Sequence, residues 1–187
     1  MPLNPPGKTS MDIPVLETER LRMRAFTQAD ADNFATLNAN ADFVRYLGQG
    51  VPIDSVESWR VMATILGHWQ LLGYGLWLVE EKYSGRFVGR VGLLNLPGWP
   101  GIEIGWGIAP DFWGRGYAFE AALVSMRWAF DELQLNQLIS LIHPDNQASK
   151  KLAQRVGETF LNQQEVAGKL CDIYAIDRAE FLTLHPA

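Results

Sequence analysis

Gly107-Ile108-Ala109-Pro110-Asp111-Phe112-Trp113-Gly114-Arg115-Gly116-Tyr117-Ala118 is the stretch on which the fold turns. An apolar strand ends there, and a turn punctuated by glycines feeds a helix of small residues. Such a helix start presents main-chain N–H groups without an intrahelical acceptor, together with the positive end of the helix dipole. An anion can bind it without any basic side chain. Gly114 and Gly116 let the main chain approach a diphosphate, and the face Ala118, Ala121, Ala122, Ser125, Ala129 suits tight packing on a sheet. The stretch reads as a phosphate cradle, although the same glycines also suit a bare strand-to-helix turn.

Outward from the cradle, hydrophobic periodicity lays out the remaining elements. Upstream, Ile102 to Ala109 is a strand, reached through the Pro/Gly loop Leu96 to Gly101 from a hairpin of Leu76–Glu81 and Phe87–Asn95. Before that, Asp54 with Glu57 resembles a capping box, and Trp59, Met62, Ala63, Leu66 and Trp69 recur at core-facing helical spacing up to Gly73. Glu19 to Phe26 alternates as a half-buried strand, and Thr27 with Asp30 caps a helix running to about Asn40. Downstream, the cradle helix runs to about Phe130, Gln137–Ile142 is a strand, and Asn146–Val156 is a helix. Thr159–Val166 and Leu170–Ile176 form a second hairpin, and a short helix over Asp177–Leu184 closes the chain. The order predicts one α/β domain over residues 16–187, with a mixed, mostly antiparallel sheet flanked by helices. Residues 1–15, with four prolines, read as a flexible tail.

Composition narrows the function classes. The net charge of −5 offers no broad basic surface for nucleic acid, and the richest apolar run, Ile65–Val79, is too short and too interrupted to span a membrane. A single cysteine, Cys171, excludes an internal disulfide framework and a multi-cysteine metal site, so no metal is expected and a reducing, cytoplasmic setting fits.

Three linked segments carry a family resemblance. Trp113-Gly114-Arg115-Gly116-Tyr117-Ala118 matches the last two fixed places of a Gln/Arg-x-x-Gly-x-Gly/Ala phosphate motif, with Trp113 in the usual polar position. Glu103-Ile104-Gly105-Trp106 precedes it, and His143-Pro144-Asp145-Asn146-Gln147-Ala148-Ser149 follows at the expected separation. With these, residues 16–182 resemble the GNAT superfamily of N-acyltransferases, in particular the ribosomal-protein alanine and serine N-acetyltransferases. The resemblance implies a sheet opened into a V between the fourth and fifth strands, acetyl-CoA as co-substrate and an amine acceptor, in a monomer or homodimer. It implies that the diphosphate lies on Trp113, Gly114, Arg115, Gly116, Tyr117 and Ala118, and the pantetheine arm beside Trp106, Gly107 and Ile108, with Asn146 and Ser149 facing it.

Acetyl transfer from a thioester needs a neutral amine, a polarised carbonyl and a proton for the departing thiolate. Strand alternation puts Glu103, Gly105 and Gly107 on one face, which makes Glu103 the candidate base over a surface bare of side chains. Ser149 and Tyr174 compete as the acid, although Asn146 and Ser149 also suit a helix cap and Tyr174 also suits the core. Lys150, Lys151 and Arg115 are candidates for the adenosine phosphates, and Trp99, Trp106, Phe43, Tyr46 and Tyr74 for the acceptor walls. An acyl-enzyme on Cys171 with His143 as base has no support in the spacing. The rival classes are a catalytically inactive acyl-CoA-binding or regulatory module and a nucleotide-binding module, the latter lacking a P-loop lysine.

Overall fold

A computed structural model describes residues 12–186. Its elements are β1 (Leu16–Glu17), β2 (Leu21–Arg24), α1 (Ala31–Asn38), α2 (Ala41–Val44), α3 (Ser55–Leu72), β3 (Leu76–Glu81), β4 (Phe87–Leu94) and β5 (Glu103–Ile108). Then come α4 (Tyr117–Asp131), β6 (Gln137–Ile142), α5 (Gln147–Arg155), β7 (Thr159–Val166), β8 (Lys169–Asp177) and α6 (Arg178–Leu184). The strands form one eight-stranded sheet in the order β1-β2-β3-β4-β5-β6-β8-β7. Every neighbouring pair is antiparallel except β5 and β6, which run parallel across the α4 crossover. This is the mixed, mostly antiparallel α/β architecture expected from the sequence.

Two short elements escape hydrophobic periodicity. β1 pairs with β2 around a tight turn in which the Thr18 N–H bonds the Leu21 carbonyl at 2.9 Å, so the strand expected from Glu19 starts at Leu21. The four-residue α2 is set by Asn40, whose Oδ1 accepts the N–H groups of Asp42 at 3.0 Å and Phe43 at 3.1 Å. At Thr27 the expected capping box is present, with a 3-10 turn over Gln28–Asp30 preceding α1. Arg24 makes a bidentate bond to Asp30, 2.8 Å on each arm, and also bonds Glu80, which ties β2, α1 and β3 together.

The core is built on indoles packed edge to face. Trp77 is wholly buried, with its ring centroid 4.8 Å from Trp69 of α3 and 5.1 Å from Trp128 of α4. Both buried indole N–H groups are satisfied, Trp69 by the Leu76 carbonyl at 3.0 Å and Trp77 by the Pro14 carbonyl at 2.8 Å. Within the stretch read as a tail, residues 1–11 lie outside the described residues, whereas Ile13 is buried in the core and Pro14 supplies that carbonyl. Trp59 departs from the expected core face and is 50% exposed. The buried face of α3 is Ser58, Met62, Ile65, His68 and Trp69, one position round from Trp59.

The two sheet faces divide the molecule. Trp106 of β5 bonds Ser149 of α5 on one face. On the other, the Phe43 ring of α2 lies 3.1 Å from the point where a side chain at Gly107 would begin. No helix among the described residues is long and apolar enough to cross a membrane.

Trp77→Ala removes the ring that joins α3, β3 and α4. We expect a loss of about 3–5 kcal/mol, read as a lower denaturation midpoint in urea.

Candidate active site

Strands β4 and β5 stay in register from Gly89–Ile108 to Leu94–Glu103, but β5 and β6 share one register pair, Glu103 with Ile139. There the Ile139 N–H bonds the Ile102 carbonyl at 3.0 Å, and the Ser140 hydroxyl reaches the Ile104 carbonyl at 3.1 Å. Beyond this point the strands separate. The Ala109 N–H bonds the Val88 carbonyl at 2.8 Å, so by alternation the polar groups of Gly107 face β4 while those of Trp106 and Ile108 face the opening. The Ile108 carbonyl is already taken by the Trp113 indole N–H at 2.6 Å. The Trp106 N–H and carbonyl and the Ile108 N–H therefore line the opening. The V lies between the fifth and sixth strands because β1 adds one to the expected count.

The cradle sits at the mouth of this V. Gly114 and Gly116 have φ of 75° and 80°, a backbone region that glycine adopts at low cost, and Gly116 is the N-cap of α4. Trp113 closes the preceding turn on Pro110, and the first helical bond runs from Glu120 to Gly116. Among the described residues, the N–H groups of 114–119 are left without a main-chain acceptor. A cavity of about 670 Å³ opens on them, lined also by Arg20, Arg115 and Arg155. Orphan donors, a helix dipole and three cations are the chemistry that a diphosphate and a further phosphate require. Arg20 also braces the turn, bonding the Arg115 carbonyl at 3.0 Å and the Glu120 carboxylate at 2.7 Å, with its guanidinium 4.6 Å above the Tyr117 ring. Lys150 is engaged elsewhere, on Asp172 at 2.5 Å, and Lys151 is exposed.

Glu103 lies on the face of Gly105 and Gly107, as alternation requires. Its carboxylate hangs over Gly105, 3.7 Å from where a side chain there would begin. Burial pushes this carboxyl up to about 8, against the lowering by the Leu141 N–H and the Arg90 charge. Phe43 covers Gly107, so the bare surface expected along β5 narrows to the space above Gly105.

Both acid candidates lie on the opposite face. Ser149 Oγ accepts the Trp106 indole N–H at 3.1 Å, leaving its own hydrogen free, while the Ser149 N–H bonds Asn146 Oδ1 at 3.1 Å. Asn146 thus caps α5 and orients Ser149 at once. Tyr174 is buried with Trp106, Ile142 and Ala153, its ring edge-on to Phe160. Trp106 turns toward α5 and away from the acceptor face that the sequence reading gave it. Phe43 lies on the Glu103 face, over Gly107, and the Tyr46 ring packs on His143 with centroids 5.1 Å apart. The Lys169 ammonium, at the β7–β8 turn, bonds the Gly48 carbonyl and roofs the same side.

A family model described as "Acetyltransferase (GNAT) domain" matches residues 20–159. The chain belongs to the GNAT acetyltransferase family. It is 31% identical over 150 residues to the uncharacterized protein YkkB of Bacillus subtilis, a match covering 76% of this chain and 83% of that one. Its fold matches the crystal structure of an acetyltransferase from Agrobacterium tumefaciens with a TM-score of 0.78 and 32% identity, over 88% and 94% of the two chains. A likeness of fold also links it to RimL, the ribosomal L7/L12 alpha-N-protein acetyltransferase solved with coenzyme A, at a TM-score of 0.74 and 16% identity over 88% and 98%. The protein is thus an acetyl-CoA-dependent acetyltransferase that moves an acetyl group to an amine.

Three arginines of this acetyltransferase site went unread in the sequence. Arg155 stands four residues after Lys151, a helical spacing that signals a shared cationic face. Arg20 reaches the cradle by side-chain bonds to Arg115 and Glu120 of a distant helix start, and Arg90 reaches the Glu103 face through strand pairing, which leaves no local signal. A further buried acid, Glu158, follows α5 and is 2% exposed. Its Oε1 lies 3.0 Å from Ser140 Oγ and its Oε2 has no partner. A hydroxyl has one hydrogen and the Ile104 carbonyl can only accept, so Ser140 donates to Ile104 and protonated Glu158 donates to Ser140. Burial pushes Glu158 up to about 8, consistent with that protonated form.

A carboxyl raised from its ordinary value to about 8 in the folded state contributes stability that is complete at acid pH. That contribution is lost as pH climbs toward 8, at up to about 1.4 kcal/mol per pH unit. Glu158→Gln does not titrate. We expect the variant's melting temperature to gain on the wild type from pH 5 to pH 8, and a difference that stays constant would refute the assignment.

Proposed function

We propose that this acetyltransferase transfers the acetyl group directly, in a ternary complex of acetyl-CoA and amine, with Glu103 as base and Ser149 as the leading acid. The observation that carries the reading is the division of groups across the V, with Glu103 on the acceptor face and Ser149 and Tyr174 on the α5 face. In this reading the cradle residues Trp113–Ala118 hold the diphosphate, and the Trp106 and Ile108 N–H groups line the pantetheine arm and the developing oxyanion. The amine nitrogen attacks the thioester carbon, the carbon–sulfur bond breaks, the nitrogen's proton passes to Glu103, and the thiolate takes the Ser149 hydrogen. Tyr174 is the second candidate for that last step.

Glu103 suits the role because an acceptor amine near pKa ~8 and a carboxyl near the same value exchange a proton with little driving force either way. Its ordinary solution value would make it a much weaker base. A covalent route through Cys171 is disfavoured by the site itself. Burial, then the neighbouring Glu103 and Asp172 charges, push the thiol up, so the nucleophilic thiolate is scarce. The acceptors that fit this reading are protein N-terminal and small-molecule α-amines, and the setting that fits is cytoplasmic.

Gly116→Glu places a side chain and a negative charge at the cap of α4. We expect acetyl-CoA binding, followed by calorimetry, to fall below detection while the circular dichroism spectrum is retained; unchanged affinity would sink the cradle assignment.

With an acceptor whose own pKa lies well below 7, the amine is neutral throughout and only the enzyme titrates. The wild type should then show kcat/KM rising with pH through a midpoint near 8 to a plateau above it, and Glu103→Gln should lose that limb and about 10²-fold in rate. Acetyl-CoA binding without thiol release for any amine would instead identify an inactive binding module.

A further inference from the structure

Arg90 is a charge without a counter-charge. It lies on β4 opposite Gly107, so it projects on the same sheet face as Glu103, Gly105 and Gly107. Its Nε is buried with no hydrogen-bond partner, and among the described residues no carboxylate lies within ion-pairing distance of its guanidinium. Burial lowers its affinity for its proton, and the nearby Glu103 only partly opposes this. An arginine remains charged in proteins, and in this half-buried side chain the Nε N–H is sealed from water without an acceptor. Arg24, on β2 of the same part of the sheet, is by contrast matched by both Asp30 and Glu80, whereas Arg178 on α6 shares a buried Nε without a partner.

The surroundings of Arg90 show what would match it. Gly105 is diagonal to Arg90 across the β4–β5 pair, a separation of about 7–8 Å between such positions. The space above Gly105 is bounded by the Glu103 carboxylate, and the Phe43 ring closes the Gly107 side. One sheet face therefore carries a proton-accepting carboxyl and an unpaired guanidinium on either side of Gly105, a position without a side chain of its own, with the Phe43 ring beside it. An acceptor there meets Glu103 with its amine and Arg90 with whatever lies next to the amine.

We infer that the acceptor is an amine that also carries a carboxylate, of the amino-acid type, with its amine directed to Glu103 and its carboxylate held by Arg90. The inference rests on the acetyl-transfer reading above and narrows its acceptor class. A guanidinium fork matches a carboxylate bidentately, and an incoming anion supplies the partner that Arg90 lacks. Neutral amines and amides leave it unpaired. Arg90 is then a specificity residue that touches substrate, distinct from the base and from the cradle cations.

The test compares acceptors on the wild-type enzyme by thiol release from acetyl-CoA, using a set of free amino acids, their carboxamides and the corresponding decarboxylated amines. We expect kcat/KM for the preferred amino acid to exceed that for its amide and its amine by on the order of 10²-fold, chiefly through KM. Arg90→Gln should erase this preference, raising KM for the amino acid toward that of the amide while leaving acetyl-CoA affinity unchanged. Arg90→Lys, which keeps the charge and loses the fork, should restore part of it. Equal use of amino acid and amide by the wild type, or turnover confined to amines without a carboxylate, would overturn the inference and leave acetyl transfer standing. Thiol release with peptide N-terminal amines but with no member of the panel would likewise overturn the inference alone, whereas absence of release with both peptides and panel would overturn the acetyl-transfer reading and the inference with it.

Discussion

The architecture depends on one missing ladder. β5 and β6 are held side by side at Glu103 and Ile139 and by the Ser140 bridge to Ile104, and then diverge. Parallel neighbours joined by a helical crossover would ordinarily continue pairing. Here the Trp106 and Ile108 main-chain groups are turned into the opening. Unpaired main-chain groups inside a protein are costly, so the opening must stay wet or be filled by something that can bond them. The cradle at its mouth and the acid and base candidates on its two sides all take their positions from this divergence.

Keeping that opening has electrostatic costs that the fold places close to it. Glu103 and Glu158 are both desolvated acids raised toward 8, and each bears on the joint between β5 and β6. Glu158 works through Ser140 on the Ile104 carbonyl, at the last point where the strands are joined, whereas the Leu141 N–H and the Arg90 charge partly offset the desolvation of Glu103. Local stability and reactivity are thus drawn from the same few groups. Raised carboxyl values commonly gather at functional sites, and here their geometry gives each a separate task.

The sequence disclosed what is local and periodic. The strand–turn–helix of the cradle, the alternation that puts Glu103 over Gly105, and the Asn146–Ser149 spacing were legible because each lies within a few residues of chain. β1 and α2 were not legible, since two and four residues carry no period, and α2 decides that Phe43 covers Gly107. Trp59 misled because a one-position rotation of α3 moves a large side chain from core to surface, and a hydrophobic count does not resolve that rotation. Arg20 and Arg90 depend on pairing between residues far apart in sequence. The cradle's brace and the unpaired guanidinium on the Glu103 face were therefore matters for the fold alone.

The V also has a thermodynamic consequence. Its two walls belong to different parts of the sheet, β1–β5 on one side and β6–β8 on the other, so a ligand that bonds along both acts as a removable strand joining them. A ligand that binds only the folded state stabilises it by mass action, by about 2.7 kcal/mol at a hundred times its dissociation constant. Resistance of this sheet to unfolding therefore rises with the concentration of any ligand that bonds both walls, and a filled V unfolds less readily than an empty one.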